Sequence, residues 1–158
     1  MERKSLVMVS PHNWYDHVKP NRINRPLKFV EQYYNETIFK KVIIVNRLHP
    51  KRIINIQDNE RKLVERGVMY NLLFDKTREV YYLEHCFPFG KVENYFLPFI
   101  INRIIKKIGL SNIVLWICDP KSVYLFKGIK GLKIFDAYDD WSLSPLFQKR
   151  TRHLKYIN

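Results

Sequence analysis

Five short apolar runs with no regular polar alternation constrain this chain more than any other feature. They extend from Ser5 to Ser10, Lys41 to Asn46, Val80 to Glu84, Asn112 to Cys118 and Leu132 to Asp136. A strand wetted on one face alternates apolar and polar residues, whereas a strand covered on both faces does not. Between the runs the period changes. Leu27, Val30 and Tyr34 follow Pro26 at helical spacing, and Leu97, Ile100, Ile101, Ile104 and Ile108 line one face of a segment from Glu93 to Ile108 that Gly109 closes. A shorter helix is expected from Pro120 to Phe126. Strands alternating with helices predict an open, doubly wound α/β domain built on a parallel sheet with right-handed crossovers. The stretch 47 to 78 carries weaker signals; Asp58 to Arg66 reads as a helix, and a further helix is expected from Ser142 onward. With 158 residues and no repeat, low-complexity tract or internal linker, residues 1–158 read as a single domain.

Charge narrows the partners rather than the fold. The chain holds 28 Lys+Arg against 15 Asp+Glu, a net +13, which favours an anionic partner such as nucleic acid, an acidic membrane surface or an acidic substrate. Cys86 and Cys118 lie in or beside apolar runs and are expected to be reduced core residues. Neither a Cys-x-x-Cys nor a His pair at ligand spacing is present, so no metal is expected. The run after Met1-Glu2-Arg3-Lys4 is cut short by Ser10 and Pro11. No signal peptide is therefore expected, and no apolar run is long enough to span a bilayer. The cytoplasm is the expected compartment.

In an open parallel sheet, ligands bind outside the carboxyl ends of the strands. Polar residues of this chain collect there. The first strand leads into His12, Asn13, Trp14, Asp16, Arg22 and Arg25; the second ends at Asn46 and Arg47, the third at Glu84 and His85, the fourth at Asp119. The fifth delivers Asp136, Tyr138, Asp139, Asp140 and Trp141 within six residues. Strand ends are polar in any protein, but three crowded carboxylates can hold one of their number as a proton acceptor near neutral pH, and the flat faces of Trp14, Tyr138 and Trp141 suit sugar rings. Helix capping is the competing role for Asp139 and Asp140. His49 and His153 read as solvated; His12, His17 and His85 fall on the expected rim. The first strand-to-helix turn has no glycine, which excludes a dinucleotide fingerprint there, and neither a P-loop nor a nucleophile elbow occurs.

With those positions in view, the chain resembles bacterial polysaccharide glycosyltransferases of the teichuronic-acid and xanthan glucuronosyltransferase kind. Three patches carry the resemblance: His12-Asn-Trp14 with Arg22 and Arg25; Phe87-Pro-Phe89, Ile101-Asn102-Arg103, Ile113 to Trp116 and Pro120; and Phe135-Asp136-Ala-Tyr-Asp139-Asp140-Trp141-Ser142. The third is the most specific, although Phe135 stands where tyrosine is commoner. The resemblance implies a Rossmann-like, N-terminal acceptor-binding half of a GT-B fold. Asp139 would be the base, with Asp136 and Asp140 beside it, and His12, Trp14, Arg22, Arg25, Asp119, Tyr138 and Trp141 would hold a sugar or lipid-linked acceptor. It implies no cofactor in this half. The nucleotide-sugar donor would bind a C-terminal domain whose motifs do not occur before Asn158, so this half alone would not transfer sugar. It also implies a peripheral position on the anionic inner membrane face, with Arg103, Lys106 and Lys107 as surface contacts. Two other classes stay open. One is a basic nucleic-acid-binding α/β domain, disfavoured because the charges are dispersed and no recognition motif occurs. The other is an acidic-pocket module using Asp136, Asp139 and Asp140 for a cation, which lacks an acidic pair after the first strand.

Overall fold

The structure, a computed structural model, describes residues 3–10, 32, 38–48, 61–88 and 90–136. Among them, seven strands form one sheet: β1 (Lys4–Val9), β2 (Phe39–Arg47), β3 (Arg61–Arg66), β4 (Tyr70–Asp75), β5 (Val80–His85), β6 (Ile113–Ile117) and β7 (Leu132–Phe135). Their spatial order is β3-β4-β5-β2-β1-β6-β7. Helix α1 (Lys91–Ile108) connects β5 to β6; a 3₁₀ turn (Pro120–Ser122) and the short helix α2 (Leu125–Gly128) connect β6 to β7.

All five expected strands are present, and β5, β2, β1, β6 and β7 run parallel. The sheet as a whole is mixed, which corrects the expectation of an all-parallel one. β4 runs antiparallel to β5, and β3 antiparallel to β4. Residues 61–66, expected as the end of a helix, are the edge strand β3. Arg, Lys, Leu and Glu are good helix formers, but pairing with β4 outweighs that preference, and its exposed charges are those of an edge strand that must not pair further. The β4–β5 turn is held by Asp75, whose Oδ1 accepts from the backbone N–H groups of Thr77 (2.9 Å) and Arg78 (3.0 Å), with Glu79 at φ 51°.

Both faces of the central strands are buried. On one, Val7, Val9, Ile43, Val45, Leu83, Leu115 and Ile117 pack with α1 and α2; on the other, Leu6, Met8, Val42, Ile44, Tyr82 and Val114 are equally enclosed. That double burial is why these strands read as unbroken apolar runs. Among the described residues, both helices cover the same face. The helix expected from Pro26 to Tyr34 lies, apart from helical Gln32, outside the described residues, as does the one expected after Ser142.

Helix α1 faces the sheet with Leu97, Ile101 and Ile104, each at 1% exposure or less; burial of such side chains contributes about 1.5–3 kcal/mol apiece. Gly109, left-handed at φ 66°, ends it, with the N–H groups of Gly109 and Leu110 returning to the carbonyls of Lys106 and Ile105. Pro98 lies inside the helix. A Cβ on Gly128 would stand 2.6 Å from the Pro98 Cβ, so a bare glycine lets α2 dock there, and Asn102 Nδ2 donates to the Gly128 carbonyl at 2.7 Å.

Candidate functional site

Parallel register places the carboxyl ends of five strands along one edge. Val9 is level with Val45 and Ile117, Val45 with Leu83, and Ile117 with Phe135. The residues just beyond therefore share a rim: Ser10, Asn46 and Arg47, Glu84 and His85, Cys118 and Asp119, and Asp136. Backbone bonds continue past the strand ends, from Ser10 N–H to the Val45 carbonyl (3.2 Å), Cys118 N–H to Val9 (3.0 Å) and Asp136 N–H to Ile117 (2.9 Å). Strand order reverses between β1 and β6, the position at which open parallel sheets bind ligands.

Alternation along each strand divides the rim into two faces. On the α1 face stand Arg47, His85 and Asp119. Glu93, in the first turn of α1, pairs with the Arg47 guanidinium, which also donates to the Phe87 carbonyl. Burial pushes the Glu93 carboxyl above its ordinary pKa; Arg47 pulls it back, and Asp119 adds to the rise. The Tyr124 hydroxyl is buried close to Glu93; burial first, then Glu93, raises its pKa. His85 is 3% exposed and its ring stacks on Phe87 at 5.7 Å. Burial, and then the Arg47 charge, lower the imidazole to about 3, so it is neutral at physiological pH, and its Nδ1 has no hydrogen-bond partner among the described residues.

On the opposite face Ser10, Asn46 and Glu84 are buried at the same level. Glu84 Oε1 accepts from Arg61 Nη1 at 2.7 Å, both side chains being 2% exposed or less, and Arg61 lies 5.0 Å over the Tyr82 ring. Glu84 thus serves to fix the antiparallel extension to the rim.

Of the residues singled out from sequence, His12, Trp14, Arg22, Arg25, Tyr138, Asp139, Asp140 and Trp141 lie outside the described residues. Asp136 is on the rim, half-buried. Asp119 is there too, capping the 3₁₀ turn: its Oδ1 accepts from Lys121 N–H (3.1 Å) and its Oδ2 from the Ser122 hydroxyl (3.3 Å). Arg103, Lys106 and Lys107 lie away from the rim, on the last turns of α1. Arg103 and Lys107 are engaged by Glu65 of β3, the latter at 2.5 Å, and Arg103 also donates to the Tyr70 hydroxyl. Cys86 and Cys118 are both free thiols; Cys118 is a core residue, as expected, whereas Cys86 is only half-buried. Sequence reasoning missed Glu93 and Tyr124. The available signal was a carboxylate in the first helical turn after a strand end, where the helix N-terminus and the rim coincide.

The described arrangement gathers one partly exposed guanidinium and several buried hydrogen-bonding groups at the carboxyl ends of the strands. Among the described residues, no group of three His, Cys, Asp or Glu could hold a metal ion, and no helix is long and apolar enough to cross a membrane. Comparison with protein-family models finds none that matches, and comparisons with curated proteins and with solved structures find no match either.

Proposed function

We propose that this chain is the acceptor-binding half of a two-domain, GT-B type glycosyltransferase, Rossmann-like in its parallel part. One observation carries the reading. Taken alone, the parallel strands run β5-β2-β1-β6-β7, and polar groups gather at the carboxyl ends on both sides of the reversal. In this reading the acceptor, a sugar or lipid-linked saccharide, lies along that rim. Glu93, tied to β2 through Arg47, fixes the first turn of α1 as one wall. Asp139 takes the proton from the attacking hydroxyl, with Asp136 and Asp140 beside it. The nucleotide-sugar donor binds a second domain, and the half described here binds acceptor without transferring sugar.

Titration of the ¹⁵N-labelled chain with uronic-acid-containing oligosaccharides tests the reading. Saturable shifts are expected at the amides of Ser10, Leu48, Phe87, Asp119 and Asp136, and they should persist at about 0.5 M salt, where purely ionic binding is screened. Absence of shifts with any oligosaccharide, alongside steeply salt-dependent binding of short DNA or RNA, would replace it with the nucleic-acid reading. In an enzyme with both domains, Asp139→Asn is expected to lower turnover by roughly two to four powers of ten while acceptor affinity is kept.

A further inference from the structure

Dispersed along the sequence, the basic residues converge in the fold. The amino ends of the parallel strands form an edge opposite the rim. Lys4 opens β1, Lys40 and Lys62 lie at the starts of β2 and β3, Lys76 is in the β4–β5 turn, Lys106 in the last turn of α1 and Lys130 just before β7; all are exposed. Register and contact bring these positions to one edge. Lys4 is level with Phe39, and Arg61 with Asp75, which is level with Val80. Lys41 Nζ donates to the Ile108 carbonyl at the end of α1, and Gly131 lies so close to the Ile113 carbonyl that a Cβ would collide with it. Among the described residues, the carboxylates of this edge are Asp75 and Glu79, and Asp75 is buried and paired with Arg78 at 3.1 Å. The rim differs, for there Glu93, Asp119 and Asp136 offset Arg47, Lys91 and Lys121.

We propose that the amino edge binds double-stranded nucleic acid through its phosphate backbone. Length, shape and the position of the aromatic rings choose this partner. The row from Lys62 to Lys130 crosses the whole sheet from β3 to β7. At the ordinary strand spacing of about 4.8 Å that is about 29 Å, against about 34 Å for one turn of duplex. Sheet twist of about 20–25° per strand carries the strand ends along a winding curve. A flat bilayer would touch only part of that curve, whereas duplex phosphates wind as well. Among the described residues the exposed rings lie elsewhere: Tyr95, Phe96 and Phe99 on the first half of α1, and Phe135 at the far end of β7. The edge therefore offers no stacking platform for unpaired bases. Lysines without such a platform read charge and not sequence, so the binding is sequence-independent. The inference goes beyond the acceptor reading and does not rest on it, because it concerns the opposite edge.

Fluorescence anisotropy of a labelled duplex of about 20 base pairs tests it. At about 0.1 M salt the wild-type chain should bind with a Kd on the order of 1–100 μM, falling in affinity as salt rises; a Kd above about 1 mM would overturn the proposal. Counterion release makes each lysine–phosphate contact worth about eightfold at that salt, so Lys40→Gln/Lys106→Gln should weaken binding roughly 60-fold and lower the salt slope by about two. Lys91→Gln/Lys121→Gln removes the same charge from the rim, more than a screening length of about 10 Å away, and should change affinity by no more than about twofold. Thermal melting confirms that each variant folds. Amide shifts caused by the duplex should appear at Lys4, Lys40 and Lys130 and spare Ser10, Phe87 and Asp119, which separates this edge from the acceptor site. Should the rim variant weaken binding as much as the edge variant, the attraction belongs to net charge alone and the proposal falls. It falls equally if polygalacturonate displaces the duplex at equal charge concentration, which would make the edge a site for an acidic polysaccharide.

Discussion

The two flanks of the sheet solve the problem of a strand edge differently. On the β5-β4-β3 side, charge is built into the structure. Arg61 and Glu84 form a buried pair, Asp75 is buried at the turn with Arg78 on its Oδ2 (3.1 Å), and Glu65 gathers Tyr70, Arg103 and Lys107. On the β6-β7 side, the edge strand β7 is parallel and exposed, with Leu132 at 55% and Phe135 at 37%. The first flank is specified by polar partners whose loss is costly. The second is held by ladder bonds and by the docking of α2, and keeps apolar side chains in reach of another strand.

The largest expected effect breaks the buried pair. Glu84→Gln leaves the Arg61 guanidinium enclosed without its counter-charge and should destabilise the fold by about 3–5 kcal/mol, measured by urea unfolding. The double replacement Arg61→Met/Glu84→Leu should recover most of that loss, because no charge is then left to desolvate. Equal destabilisation in single and double variants would show that the pair is held for shape rather than charge.

The next effect depends on pH. His85 is lowered to about 3 when folded, against its ordinary 6.5 when unfolded. Between those values the unfolded chain binds a proton that the native protein refuses. Stability contributed by the neutral ring is complete above 6.5 and falls with pH through that window, by up to about 1.4 kcal/mol per pH unit. Glu93 acts in the opposite sense. Its raised pKa favours the fold below its unfolded value, a contribution lost as pH rises through the folded one. His85→Phe should therefore flatten the acid limb of a stability–pH curve by close to one proton. An unchanged limb would place the acid sensitivity elsewhere.

Smaller effects separate the flanks at their surfaces. Glu65→Gln removes an ion-pair network whose two cations are about half exposed and should cost about 1 kcal/mol by thermal melting, well below the loss of the buried Arg61–Glu84 pair. Leu132→Lys, on the apolar edge, should change stability by no more than about 0.5 kcal/mol yet reduce self-association at high concentration, read by light scattering. If Leu132→Lys instead unfolds the protein, β7 is a packed strand and the contrast between the flanks disappears.

The same contrast explains what could be read in advance. Four of the five parallel strands, β1, β2, β5 and β6, were legible because burial on both faces leaves a continuous apolar run; β7, though exposed, was legible from Leu132, Ile134 and Phe135, and α1 because Leu97, Ile101 and Ile104 repeat at helical spacing. The extension was not. Arg61 to Arg66 buries a charged residue, Arg61, and exposes the apolar Leu63 and Val64, so its period is hidden, and it is a strand only because β4 lies beside it. Tyr70 to Asp75 was available to a closer reading, since Asp75 before Lys76-Thr77-Arg78 is a turn former. At the rim, Arg47, His85, Asp119 and Asp136 follow from strand ends. Glu93 does not, because its importance arises from Arg47, 46 residues earlier in the chain. The pairing of Glu84 with Arg61 was equally hidden, for a carboxylate at a strand end gives no sign of which cation will bury it.

The position of β1 has a consequence for how the molecule is made. It precedes the other described strands in the chain and lies between β2 and β6, but about a hundred residues separate Val9 from Ile113. At synthesis rates of roughly 5–20 residues per second, one edge of this central strand waits several seconds or longer for its partner. Until then β1 is the open edge of the β3-β4-β5-β2-β1 part of the sheet, whose strands all precede Ile113 in the chain. The slow event in building this domain is the arrival of β6, and a nascent chain halted before Ile113 would leave that edge bare.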